Sequence, residues 1–200
     1  MWKNLAEIAW LNLKIIGSGT WPILNRYEQM KNIVLIGFMA TGKTVIGRNL
    51  AGLLKREFVD TDAAIEKLTG KTVSQIFAAE GEARFRLEEE LLVQKLSSRD
   101  NLVIATGGGL VLNPENLRLL KKNGVLIALT ASPEVIHERV KRNKNRPLLS
   151  KGDLLSRIKE LMYQRKHAYA AAEITIDTGK YSIDDAVKQI NLYLLERKYI

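Results

Sequence analysis

Apolar and polar residues follow two rhythms along the chain. Short, mostly apolar runs rich in β-branched residues fall at 32–37, 57–60, 102–106, 125–129 and 173–177. Runs of that length predict buried strands. Between them, apolar positions recur three or four apart, which predicts helices over 43–55, 62–69, 73–79, 82–98, 114–123, 132–142, 153–171 and 182–197. Strands alternate with helices, so the pattern predicts an α/β fold whose parallel sheet is covered on both faces. Pro114 and Pro133 stand near helix starts, where a missing N–H costs nothing, and Asn113 and Ser132 precede them as capping residues.

Two stretches fall outside this rhythm. Segment 143–152, Asn-Lys-Asn-Arg-Pro-Leu-Leu-Ser-Lys-Gly, has no period and joins two predicted helices, as a lid would. Residues 1–29 contain all three tryptophans, and Gly17-Ser18-Gly19-Thr20 with Pro22 break any long helix there. Met30 then opens Met-Lys-Asn-Ile-Val-Leu-Ile-Gly, so 30–200 reads as one domain and 1–29 as an extension. The extension is either a poorly ordered stretch upstream of a native start at Met30, or a short helix over 2–15 that docks on the domain or on another chain. Glu7, Asn12 and Lys14 interrupt any secretory core.

Composition adds little and excludes some classes. The 46% hydrophobic and 26% charged content suits a globular domain of 200 residues. There are no cysteines, which removes disulfides and thiolate metal sites and fits a reducing cytoplasm. No apolar run approaches the roughly 20 residues that span a bilayer. The net charge of +9 fits either nucleic acid or a polyanionic small molecule. Part of the excess is local: Arg139, Lys141, Arg142, Lys144, Arg146 and Lys151 crowd the region around the presumed lid.

The chemistry starts at residues 37–44, Gly-Phe-Met-Ala-Thr-Gly-Lys-Thr. A G-x-x-x-x-G-K-T stretch between a strand and a helix is a phosphate-binding loop. Its backbone N–H groups and the helix N-terminus favour an anion, Lys43 reaches β- and γ-phosphates, and Thr44 offers a hydroxyl to Mg²⁺. The second strand ends in Asp60-Thr61-Asp62, and ligands of such sheets bind at strand carboxyl ends. Asp60 suits an Mg²⁺-bound water opposite Thr44. Asp62 suits a substrate hydroxyl, or, with Thr61, caps a helix beginning at Ala63.

Arg86 has Glu82 and Glu90 four residues away and Glu89 three away, a pattern shared by a solvated helix face and by an arginine held ready for a substrate carboxylate. Gly107-Gly108-Gly109 closes the third strand, as a flexible turn or as a close approach to ligand. Arg146 lies in the lid and suits the charge on a transferring phosphoryl group. Arg139 and Arg142 lead into the lid, and Arg165 follows it. Each of these three is equally consistent with an exposed surface charge. His167 alone says little.

With these pieces in order, the chain resembles the shikimate kinase family. The resemblance rests on Gly37 to Thr44, Asp60-Thr-Asp62, Phe85-Arg86 with Glu89, Gly107 to Gly109, Arg146-Pro-Leu-Leu149, Arg165 with Tyr169, and Ile176-Asp177-Thr178. It implies a P-loop NTPase fold like that of nucleoside monophosphate kinases, with a five-stranded parallel sheet of order 2-3-1-4-5. It also implies a substrate-binding subdomain over about 61–90 and a lid over about 143–152. The implied reaction is transfer of the γ-phosphate of ATP to the 3-hydroxyl of shikimate, with Mg²⁺, on the route to chorismate. The resemblance assigns Asp62 to the shikimate hydroxyls and to proton removal. It assigns Arg86 and Arg165 to the carboxylate, Gly108 to a backbone contact, and Lys43 and Arg146 to phosphate. ATP would lie along Ala40, Thr41, Gly42, Lys43, Thr44 and Val45, with Arg139 beside adenine, and the metal at Thr44 and Asp60. A cytoplasmic monomer that binds neither nucleic acid nor membrane is implied as well.

Three features depart from the family pattern. Ala40 replaces a common glycine, at small cost unless the backbone there needs a positive φ. His167-Ala168 stands where a proline is frequent before Tyr169. No apolar run ends in aspartate other than Phe58-Val59-Asp60, so Asp60 must serve the metal. Two other functions fit part of the pattern: a gluconate or nucleotide kinase on the same fold, and a nucleotide-binding module whose basic lid touches nucleic acid.

Overall fold

The structure is a computed structural model describing residues 31–141 and 153–200. The extension over 1–29, the lid over 143–152 and Arg146 lie outside the described residues.

Five strands form one sheet: β1 (Asn32–Gly37), β2 (Glu57–Asp60), β3 (Leu102–Ala105), β4 (Gly124–Thr130) and β5 (Ile174–Asp177), in the order β2-β3-β1-β4-β5. Every pairing is parallel, with Ile33 opposite Val103 on one side and Val125 on the other. The helices are α1 (Lys43–Leu54), α2 (Thr61–Thr69), α3 (Val73–Ser97), α4 (Pro114–Lys122), α5 (Pro133–Lys141), α6 (Leu154–Tyr169) and α7 (Ile183–Glu196). Among the described residues no helix is long and apolar enough to cross a membrane.

The six residues of β1 are all buried, which explains their unbroken apolar run. Side chains alternate between faces. Ile33 and Leu35 join Ile46 and Leu50 of α1 and Ile190 and Leu194 of α7, while Val34 and Ile36 join Phe85, Leu92 and Val93 of α3 and Leu120 of α4. Each such side chain, fully buried, contributes roughly 1.5–3 kcal/mol. A third cluster places Phe38 and Met39 of the phosphate loop against Ile136 and Val140 of α5 and Ile158 and Leu161 of α6. The loop is therefore anchored to both helices that flank the predicted lid.

Predicted and observed elements differ at a few boundaries. The paired helices expected over 73–79 and 82–98 form one element whose backbone breaks at Gly81, with φ 81° and ψ 172°. That conformation is open essentially to glycine alone. A short 3₁₀ turn, Leu110–Leu112, follows the three glycines and was not evident from periodicity. Asn113 caps α4 as expected, accepting from the amides of Glu115 at 2.8 Å and Asn116 at 3.4 Å.

Candidate active site

The phosphate loop leaves β1 at Gly37 and enters α1 at Gly42, with φ of 135° and 91°. Both glycines are required by the backbone, and a Cβ on Gly37 would stand 2.2 Å from the Leu129 carbonyl oxygen. The Lys43 Nζ curls back into the loop and donates to the carbonyls of Gly37 at 2.9 Å and Phe38 at 2.7 Å. The Thr41 hydroxyl donates to the Phe38 carbonyl at 2.8 Å, so this side chain faces the interior and only its backbone remains for a phosphate. No acidic residue occupies the first turn of α1, which keeps that helix end favourable to an anion.

Asp60 does two jobs. Its Oδ2 accepts from the Thr44 hydroxyl at 2.7 Å, and its Oδ1 accepts from the amides of Asp62 at 3.1 Å and Ala63 at 3.2 Å. The cap of α2 is thus Asp60, and the helix begins at Thr61 rather than Ala63. This corrects the alternative in which Asp62 serves as the cap, and it leaves the Asp62 side chain in the cleft beside the loop.

That cleft has a volume of about 340 Å³ and is lined by Ala40, Gly42, Lys43, Thr44, Val45, Asp60, Asp62, Gly108 and Arg139, among others. It meets the strip Gly107–Gly109 at Gly108, and each glycine of the strip lies against a different candidate group. A Cβ on Gly107 would stand 2.5 Å from Asp62 Oδ1 and 3.0 Å from Glu89 Oε1. A Cβ on Gly108 would stand 3.7 Å from Arg165 Nη1, and one on Gly109 would stand 2.7 Å from both terminal nitrogens of Arg86. None of the three has a positive φ, so they are small for close approach and not for an unusual turn. The Gly107 amide donates to Thr61 Oγ1 at 2.8 Å, which ties the strip to the start of α2.

Arg86 donates from Nη1 to Glu89 at 2.7 Å, and from Nε and Nη2 to one oxygen of Glu82 at 3.1 and 2.7 Å. The Glu89 side chain is 1% exposed, so this is not a solvated helix face. Glu90 takes no part and instead accepts from Asn113 Nδ2. Burial pushes the Glu89 carboxyl up to about 7; Arg86 pulls it down, while Asp62 and Glu82 push it further up. Arg165 is likewise buried, with its guanidinium over the Phe38 ring at 5.6 Å and Nη1 3.4 Å from the Gly108 carbonyl oxygen. The Tyr169 hydroxyl donates to that same oxygen at 2.6 Å, and burial raises its pKa. Two arginines and two carboxylates therefore converge on one glycine strip beside the phosphate loop.

The family model for shikimate kinase matches residues 39–194. A shikimate kinase of Pelotomaculum thermopropionicum is 66% identical over 171 residues, covering 86% of this chain and 99% of the relative. One from Desulforudis audaxviator is 53% identical over 86% of this chain and 90% of its own length. The chain belongs to the shikimate kinase family. Among solved structures, the shikimate kinase of Acinetobacter baumannii in complex with shikimate has a TM-score of 0.81 at 39% identity, covering 86% of this chain and 97% of that one. The activity of the chain is accordingly the ATP-dependent phosphorylation of shikimate.

Lys43, Thr44, Asp60 and Asp62 share the cleft, and Arg86, Gly108 and Arg165 meet at the glycine strip. Arg139 bonds to the Ala40 carbonyl at 3.1 Å and to the Thr178 carbonyl at 2.6 Å, at the cleft edge. Ala40 has φ 60°, so its backbone does need the left-handed region. Helix α6 runs unbroken through His167 and Ala168 to Tyr169; His167 is exposed and Ala168 buried. Sequence reasoning missed Phe38 beneath Arg165 and Thr61 on Gly107. A bulky aromatic inside a phosphate loop was the available signal for Phe38. Nothing local marked Thr61.

Proposed function

We propose that the chain transfers the γ-phosphate of ATP to the 3-hydroxyl of shikimate through the residues gathered in this cleft. The observation that supports this most directly is the glycine strip, which brings Asp62, Arg86 and Arg165 within reach of one small acceptor next to Lys43. Arg86 and Arg165 bind the shikimate carboxylate, a task suited to a planar fork of donors. The Gly108 backbone closes the same pocket. Asp62 accepts a hydroxyl hydrogen bond, orients the oxygen and takes its proton on transfer. Lys43 neutralises phosphate charge, and Arg146 does so from the lid. The nucleotide lies over Ala40 to Val45, with adenine beside Arg139.

The donor set suits Mg²⁺. Thr44 and Asp60 supply hard oxygens 2.7 Å apart, and among the described residues no cluster of three histidines or acids offers an all-protein cage. Magnesium keeps several waters and uses one or two protein oxygens with substrate phosphates. When bound, it would shield the phosphate oxygens. Catalysis otherwise consists of alignment and charge neutralisation.

Residues 30–200 form the working kinase, acting as a cytoplasmic monomer, and the lid over 143–152 excludes water. The match of 171 residues to 99% of the Pelotomaculum relative supports that boundary. A coupled assay of ADP release with ATP, Mg²⁺ and shikimate, gluconate or a nucleoside monophosphate tests the reading. Release that depends on shikimate alone is expected. Release with another acceptor and none with shikimate overturns it.

A further inference from the structure

Arg86 is boxed in on three sides, and the three walls differ in kind. The Gly109 backbone lies so close that even a Cβ there would stand 2.7 Å from the two terminal nitrogens. Glu89, on Nη1, is 1% exposed and fixed in the core of the subdomain. Glu82 takes both Nε and Nη2, at 3.1 and 2.7 Å, and its side chain is 56% exposed. The Nε–Nη2 edge is one of the two faces on which a guanidinium grips a carboxylate with two parallel donors. Here a single oxygen of Glu82 spans that edge.

Charge makes the arrangement unstable toward a further anion. Glu82 and Glu89 already hold Arg86, and Asp62 and Glu82 both disfavour the ionised form of Glu89. A third carboxylate cannot join them on the guanidinium without repulsion unless one leaves. Only Glu82 can leave cheaply, because only it already faces water. It directly follows the backbone break at Gly81, so it stands in the first turn of the second half of α3. A carboxylate released there stays near the positive end of that helix segment.

We propose that Glu82 is a built-in competitor for the shikimate carboxylate: it covers the Nε–Nη2 edge of Arg86 in the empty site and swings into solvent when the acceptor docks. The proposal rests on the reading of Arg86 as a carboxylate-binding group. Glu82 thereby sets acceptor affinity without touching the acceptor. Glu89, buried and immobile, keeps the guanidinium in place throughout the exchange.

The test titrates shikimate and its uncharged methyl ester into the wild-type protein, Glu82→Gln and Arg86→Ala by calorimetry, with melting temperatures as a folding check. Glu82→Gln is expected to tighten shikimate about two- to fivefold, the range spanned by exposed ion pairs. It should leave the ester, the KM for ATP and kcat unchanged. Unchanged shikimate affinity overturns the proposal. Weaker affinity overturns it too, by making Glu82 an orienting residue. Equal tightening of acid and ester also overturns it, since no carboxylate would then be competing. Arg86→Ala separates the two ideas: intact shikimate binding there removes the reading of Arg86 itself. Weakened binding there, with no gain in Glu82→Gln, removes only the competitor. Should Arg86→Ala fail to fold, Arg86→Gln, which keeps most of the stem and drops the charge, supplies the same separation.

Discussion

The Arg139 guanidinium donates to the Ala40 carbonyl at 3.1 Å, across 99 positions of chain. The same group reaches Thr178 Oγ1 at 3.0 Å and the Thr178 carbonyl at 2.6 Å. One side chain therefore ties the phosphate loop to the turn after β5, on the edge where the nucleotide base is expected. The strained member of this pair is Ala40, whose φ of 60° is one that a Cβ disfavours.

Replacing Ala40 with glycine relieves that strain but frees the unfolded chain. The first effect is about 1–2 kcal/mol and the second about 0.4–1 kcal/mol, so a net gain of roughly 0.5–1 kcal/mol is expected for Ala40→Gly. Urea unfolding measures it. Equal or lower stability would show that the loop carries no strain at this position.

Lys43→Ala should lower phosphoryl transfer by at least ~100-fold, the scale of losing one preorganised charge stabiliser. The loop also loses the two hydrogen bonds to the Gly37 and Phe38 carbonyls, yet β1 and α1 remain packed, so the fold should persist. A single-turnover assay with circular dichroism checks both points. Normal turnover would remove Lys43 from the chemistry.

Glu89 makes stability depend on pH in an unusual direction. Its carboxyl is held at about 7 in the folded protein, against an ordinary value of 4.5. Between those values the folded state keeps a proton that the unfolded chain has released. Stability from this group is therefore present at low pH, falls as pH rises through that window, and levels off above it. Glu89→Gln removes the fall, which is on the order of 1–3 kcal/mol. The difference in unfolding free energy, variant minus wild type, should climb between about pH 5 and 7 and then flatten. A difference independent of pH would mean that Glu89 is ionised throughout.

Gly109→Ala tests the glycine strip without touching a charged group. The backbone there is ordinary, with φ −108° and ψ −9°, so alanine suits the chain. Its Cβ would nevertheless meet both terminal nitrogens of Arg86 at 2.7 Å, and that flexible end must shift. Shikimate affinity should fall about tenfold, or ~1.4 kcal/mol, with little change in melting temperature. Undiminished affinity would show that the acceptor does not depend on the Arg86 position.

Most of this fold was legible in the chain because parallel strands buried on both faces leave unbroken apolar runs, as in Ile33-Val34-Leu35-Ile36. The phosphate loop was legible because backbone geometry demands its glycines at fixed spacing. The roles of Asp60 and Asp62 were not separable by spacing alone, since both sit where a strand turns into a helix. Only the bonds from the Thr44 hydroxyl and the Ala63 amide to Asp60 distinguish cap from cleft residue. For Arg86 the ambiguity was of another kind. Periodicity offers Glu82, Glu89 and Glu90 alike, and depth decides: Glu89 is buried, Glu82 faces water, and Glu90 turns to Asn113 on a different helix. Phe38 beneath Arg165 depends on a contact between the phosphate loop and α6, which no local pattern encodes.

In the proposed reaction two arginines on the glycine strip, the half-buried Arg86 and the buried Arg165, hold the carboxylate of shikimate. Calorimetric titration of shikimate into Arg165→Ala, beside the wild type, is the decisive experiment, because Arg165 is only 7% exposed. A loss of about 2–5 kcal/mol in binding is expected, as for a desolvated charge pair, with ATP binding retained. Shikimate binding of wild-type strength in that variant, with the fold intact, would contradict it.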